Sequence, residues 1–286
     1  MRWQRARRSD NLVDARRSGL PGKGLGLGGL ALVVVVGLLL GEDPLTILDQ
    51  VARQASVATA PPHSGAPVGD EQEVEFVRAV LGDTEDTWQA LFQQAGRSYP
   101  EPRLVLFSGA VESACGHASS AVGPFYCPGD RQVYLDLDFF REMSQRFSAA
   151  GDFAQAYVIA HEVGHHVQTV LGLTARLDEA RRRGARLEGA NGLLVRQELQ
   201  ADCLAGVWAH HAQKRLQWLE PGDVEEALNA ASAIGDDRLQ RQERGQVRPD
   251  AFTHGTSEQR VRWFTAGFES GQACLARDSA SGRAAR

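Results

Sequence analysis

The 286-residue chain contains no Cys-x-x-Cys. Its four cysteines, at 115, 127, 203 and 274, are spaced for neither a zinc ribbon nor a thioredoxin-like redox centre. It has no internal repeat, which excludes solenoid and propeller architectures. Basic charge is scarce where a nucleic-acid-binding domain would need it. Residues 1–24 hold seven Lys and Arg against Asp10 and Asp14, and the remaining chain carries a net charge of -10. Phosphate backbones repel such a body, so no nucleic-acid partner is expected. Long uncharged apolar runs are also scarce, and the one that stands out covers residues 25–41.

That run is at the short end of what spans a bilayer at about 1.5 Å per residue. Arg2, Arg5, Arg7, Arg8, Arg16, Arg17 and Lys23 precede it. Their excess predicts a single-pass anchor in the cell membrane, with a basic cytoplasmic N-terminus over residues 1–24 and the rest of the chain extracytoplasmic. A cleaved signal peptide is the rival reading, but the small residues Ala58-Thr59-Ala60 lie far beyond the apolar run. A buried core helix would not need the charged flank. Residues 42–71 read as a linker, with a short helix over 44–54 and a Pro-rich tether from Ala60 to Pro67. Residues 72–275 suffice for one ordinary core, and 276–286 read as a flexible tail.

Within that domain, His161-Glu162-Val163-Gly164-His165 sits in an apolar stretch from Phe153 to Leu171. Histidines four apart share a helix face, so both can hold one ion while Glu162 looks toward the open coordination position. Two His and a Glu in an interior helix are costly to bury without a shared metal. Gly164 costs about 1 kcal/mol of helix propensity against Ala, which points to close packing at that position. Gly172 supplies a C-terminal stop.

A catalytic zinc takes three protein ligands, and the best candidate for the third is Glu198. It opens Glu198-Leu199-Gln200-Ala201-Asp202 in a second helical stretch, 193–214, whose flanks are apolar. The spacing puts Asp202 on the same face, where it can accept the outer N–H of a ligating histidine. Zinc is the expected ion, one per chain, although manganese or cobalt could use the same ligands.

With these residues in hand the chain resembles the bacterial neutral zinc metallopeptidases, a membrane-anchored, gluzincin-like group. The similarity runs nearly end to end: a basic N-terminus, a Gly/Val-rich apolar segment, Gly123-Pro124-Phe125-Tyr126-Cys127-Pro128, the zinc helix, Gln200-Ala201-Asp202-Cys203-Leu204-Ala205-Gly206 and Thr253-His254-Gly255-Thr256. The resemblance implies an α+β, predominantly helical zincin-like domain with a small sheet, preceded by one transmembrane helix, and a peptidase acting on peptide or protein substrates. Glu162 would deprotonate the attacking water, and His254 would steady the oxyanion, with Arg260 as an alternative or as a positioner of His254. A catalytically inactive metal-binding membrane scaffold, or a partner-recruiting protein, is the competing class. Residues 176–191 form a longer insertion than thermolysin-like peptidases carry, so substrate preference does not transfer.

Gln132 to Leu137 alternates after the turn Pro128-Gly129-Asp130 and reads as a strand, and the resemblance favours a sheet edge on which substrate could pair. Leu104 to Phe107 reads as another strand. From Glu73 to Gln94 the pattern suggests helical turns broken around Gly82, and a helix begins near Glu258, capped by Thr253 or Ser257. In an oxidising compartment two disulfides are permitted: Cys115 with Cys127 and Cys203 with Cys274 are favoured among three connectivities. His63, His117, His166, His210 and His211 read as surface or packing residues.

Overall fold

A computed structural model of the protein describes residues 1–16, 68–147 and 151–272. The chain divides into two compact units, Met1–Ala15 with Gln72–Arg286, and Arg16–Glu71. Of the second, only Arg16 and the first residues of a helix are described. The expected transmembrane helix, linker helix and tether lie outside the described residues, as do His63, Cys274 and the tail. Among the described residues no helix is long and apolar enough to cross a membrane.

The larger unit is α+β. Its sheet has strand order β1-β2-β6-β5, where β1 is Leu12–Asp14, β2 Arg103–Phe107, β6 Gln132–Asp136 and β5 Phe125–Cys127. β1 and β6 each run parallel to β2, and β5 runs antiparallel to β6. A separate hairpin joins β3 (Ala110–Ser113) and β4 (Gly116–Ser119). Strand β2, with a parallel neighbour on each side, is buried on both faces, as suits such a strand, and so is β6. Leu104, Leu106, Val133 and Leu135 face the helices. Val105, Phe107 and Tyr134 alternate with them on the opposite face, where Val111 of the hairpin packs. Because β6 is paired on both sides, the expectation that it forms a sheet edge is corrected: on the cleft side the edge is β5.

The helices are α1 (Val68–Gln94), α2 (Asp138–Phe147), α3 (Asp152–Val170), α4 (Ala175–Arg182), α5 (Leu193–Leu216), α6 (Asp223–Ala233), α7 (Asp236–Arg244) and α8 (Ser257–Ser270). α3 crosses the interior with 14 buried residues, which explains why it is apolar around most of its circumference. Gly172, at φ 75°, ends it as expected. α4 and the irregular chain up to Gly192 form the insertion. α8 is capped by Thr256, neither Thr253 nor Ser257, in a reciprocal box with Gln259.

The first fifteen residues depart furthest from expectation. Rather than standing apart as part of a basic N-terminal segment, they fold into the domain. Trp3 is buried edge-on against Phe76 of α1, and Ser9 is fully buried. Ser9 donates to the Glu85 carboxylate at 2.5 Å, Asn11 at 2.8 Å and Arg7 at 2.6 Å. Arg8 pairs with Glu75 and Arg2 with Glu220. Three of the seven basic residues that resemble a membrane flank, Arg2, Arg7 and Arg8, are therefore partners of acidic residues in the domain. Gly82 follows from the same packing. α1 runs unbroken through it, and a Cβ there would lie 2.7 Å from the Arg7 carbonyl oxygen. The glycine makes room for the N-terminal chain and does not end the helix.

Candidate functional site

Three helices, distant in sequence, deliver the site. α3 carries His161, Glu162 and His165, α5 carries Glu198 and Asp202, and α8 carries Arg260. α3 and α5 pack closely because Gly164 has no side chain. A Cβ at Gly164 would lie 3.1 Å from the Ala201 carbonyl oxygen and 3.3 Å from its Cα. Ala201 stands between Glu198 and Asp202, so this contact brings both carboxylates to the histidine face of α3.

His161, His165 and Glu198 each offer a ligand atom, all within 4.8 Å of one another. His161 Nε2 lies 3.1 Å from Glu198 Oε2, and His165 Nε2 lies 3.5 Å from Glu198 Oε1. Ligands about 2.1 Å from a tetrahedral zinc stand roughly 3.4 Å apart, so the donors suit such an ion in kind, and both His–Glu198 separations lie near that spacing. The outer ring nitrogens are held too. His161 Nδ1 donates to Asp202 Oδ1 at 2.9 Å, and His165 Nδ1 donates to Gln168 Oε1 at 2.9 Å. Both contacts would leave the Nε2 lone pair to face an ion once one is bound. Gln168 was not legible as a site residue, although its position one turn after His165 on the same helix is the signal that could have found it. Its amide donates in turn to the Gln197 carbonyl and to Gln200.

Asp202 is the hub behind the three donors. Arg260 grips it with Nε at 2.9 Å and Nη2 at 2.8 Å, and Tyr157 donates its hydroxyl at 2.5 Å. All three are buried. Arg260 therefore belongs with Asp202 and His161. Burial pushes the Asp202 carboxyl up, but Arg260 and His161 outweigh it and hold it below its usual value.

The field at the donors calls for positive charge. Burial alone would lower His161, yet Asp202 and Glu198 overcome it and push it up to about 10. His165 is raised in the same way, against burial, by Glu198. Glu198 would be raised by burial but is held well below the carboxylate range by the two imidazoles. A divalent cation between the three answers that field. Glu162, beside them and buried, is raised by its burial, with His165 and His161 pulling the other way.

These groups line one cleft of about 550 Å³, together with Pro124, Phe125 and Tyr126 at the edge strand and His254 from the loop before α8. His254 is half exposed. Its loop hangs on Asp236, whose Oδ2 accepts from the backbone N–H of Thr253 (2.7 Å), His254 (2.6 Å) and Gly255 (3.0 Å). Asp236 Oδ1 reaches His254 Nδ1 at 3.3 Å, and Thr253 Oγ1 reaches it at 2.8 Å. Asp236 was missed in the sequence because an Asp opening a helix reads as a simple N-terminal charge.

Cys115 and Cys127 form a disulfide that ties the β3–β4 turn to the edge strand β5. Cys203 is also disulfide-bonded, and its expected partner Cys274 lies outside the described residues. The remaining described histidines pack or lie on the surface. His166 is buried between Tyr99 and Tyr126, His210 and His211 bond the backbone at the end of α8, and His117 pairs with Glu112.

Among curated proteins the chain is 46% identical over 290 residues to the uncharacterized protein YpfJ of Escherichia coli strain K12, covering 95% of this chain and 96% of that one. It is 45% identical over 246 residues to the uncharacterized protein Rv2575 of Mycobacterium tuberculosis strain H37Rv, covering 82% of each. No solved structure matches it. A family model described as "Putative neutral zinc metallopeptidase" matches residues 1–277, and the chain belongs to that family.

Proposed function

We propose that the protein is a zinc-dependent peptidase that hydrolyses peptide bonds, with His161, His165 and Glu198 as metal ligands and Glu162 as general base. The observation that carries this reading is the convergence of three donors on one point with a fourth, non-ligating carboxylate alongside. A structural metal site needs no such base. When bound, zinc supplies a Lewis acid for the scissile carbonyl and acidifies its water toward a pKa of about 7.

The chain's own groups do the rest. Glu162 takes the proton from the attacking water, holds it within a buried pocket, and passes it to the leaving amine. Asp202 and Gln168 keep the two ligand imidazoles in the tautomer that presents Nε2. His254, on its anchored loop, donates toward the oxygen on which negative charge develops. An extended substrate lies along β5, which has no strand on its outer side among the described residues and so offers backbone hydrogen bonds that do not depend on side-chain sequence. The fold that performs this is zincin-like. The uncharged run 25–41 supports association with a lipid bilayer, and the disulfides support an oxidising, extracytoplasmic setting.

The test is metal content followed by hydrolysis of an unfolded protein. Wild type should carry about one zinc per chain and cleave. Glu162→Gln should keep the zinc and lose at least a hundredfold in rate. If wild type binds zinc but neither protein cleaves, the chain is a metal-binding scaffold and the peptidase reading is wrong.

A further inference from the structure

We infer that the N-terminal fifteen residues and the metal-site domain occupy the same compartment, so the chain between Ala15 and Gln72 makes no net crossing of a membrane. A single span at residues 25–41 would put those two parts on opposite sides of a hydrocarbon layer about 30 Å thick. The fold requires them to touch.

Contacts run the length of the segment. The Met1 ammonium group lies 3.4 Å from Asp223, and the Arg2 N–H donates to the Trp218 carbonyl at 2.9 Å. Ser9 N–H donates to the Arg78 carbonyl at 3.0 Å. β1 pairs residue for residue with β2, Leu12 opposite Leu104 through Asp14 opposite Leu106, and the Ala15 N–H closes the register on the Leu106 carbonyl.

The domain is also built to receive the segment. Glu85 is 1% exposed, and among the described residues the partners of its carboxylate are Arg7, Ser9 and Asn11. Without them a charged group would be buried with nothing to compensate its lost hydration. Gly82 is notched for the Arg7 backbone, as shown above. A basic flank orients a span by its free charge, and Arg2, Arg7 and Arg8 are engaged with Glu220, Glu85, Asp86 and Glu75. Removal of a leader at Ala58-Thr59-Ala60 would likewise take β1 from the sheet. None of this rests on the peptidase reading.

The experiment places single cysteines in the full chain, in cells, and treats them with a membrane-impermeant maleimide before and after lysis. Asp10, whose side chain is fully exposed, becomes Asp10→Cys, and Arg183, on the domain surface and 73% exposed, becomes Arg183→Cys. Native thiols give no background among the described residues, since none is free. Both probes should behave alike in intact cells, labelled together or protected together, and both should label after lysis. Labelling of one with protection of the other overturns the inference. Val13→Cys, on the exposed face of β1, is a second N-terminal probe should Asp10→Cys fail to accumulate.

Discussion

Asp236 holds three backbone N–H groups with one carboxylate oxygen, and the loop it holds carries His254 into the cleft. Its burial opposes ionisation, but the bonds to His254 and Thr253 outweigh that and lower its pKa. Replacing it with Ala should cost roughly tenfold to a hundredfold in kcat, as loss of an orienting partner does elsewhere, while zinc content stays at wild-type level. Asp236→Asn keeps an acceptor for the backbone and should fall between the two. Wild-type kcat in the Ala variant would mean that His254 plays no part in the chemistry. His166 gives a separate prediction. Its Nε2 donates to the Pro100 carbonyl at 2.6 Å and its Nδ1 accepts from Tyr126, so it is buried neutral, and burial brings its pKa down to about 4. The unfolded chain, with an ordinary histidine pKa near 6.5, binds that proton more readily. Stability should therefore be fully present above pH 6.5 and be lost as pH falls toward 4, by on the order of 3 kcal/mol from this one group. Denaturant titrations between pH 7 and 4 should show a steeper acid loss for wild type than for His166→Gln, both in chelator so that metal release is common to the two. Parallel slopes would refute the assignment.

At the scale of elements, α3 and α5 were legible because spacing is a strong signal. Two His four apart, and Glu and Asp four apart, each within an apolar stretch, fix both the helix and the face it presents. Gly164 was legible for the same reason, since a helix interior tolerates glycine only for a close neighbour. Gly82 shows the limit of that argument. The same residue type in the same kind of pattern suggested a break, because the chain it accommodates is more than seventy residues away. β5 was invisible as an edge, since three residues carry no periodicity, and β6 alternated without revealing which side it paired on. Gly82→Ala makes the N-terminal packing measurable. Helix propensity alone would favour Ala by about 1 kcal/mol. The clash with the Arg7 carbonyl should reverse that sign and leave the protein about 1–3 kcal/mol less stable, read from the denaturant midpoint. A stabilised variant would show that the N-terminal chain does not rest on α1.

Across the whole molecule, the site joins parts that nothing local connects. The proposed metal ligands sit on α3 and α5, the hub Asp202 is gripped from α8, and the loop bearing His254 is tied to α7. An ion held by His161, His165 and Glu198 would thus cross-link two core helices as well as form the proposed reaction centre. An ion that binds only the folded state stabilises it by about 4 kcal/mol when present at a thousand times its dissociation constant. Removing zinc with a chelator should therefore lower the melting temperature of wild type clearly, and restoring zinc should return it. Glu162→Gln should keep that difference, because Glu162 is not a ligand. Glu198→Gln should lose most of it, because the remaining histidines, both on α3, no longer bridge to α5. The pair of variants separates ligand from base without any assay of hydrolysis. If chelation shifts Glu198→Gln as far as wild type, the carboxylate does not reach the ion, and the arrangement of three donors around one point is not a metal centre.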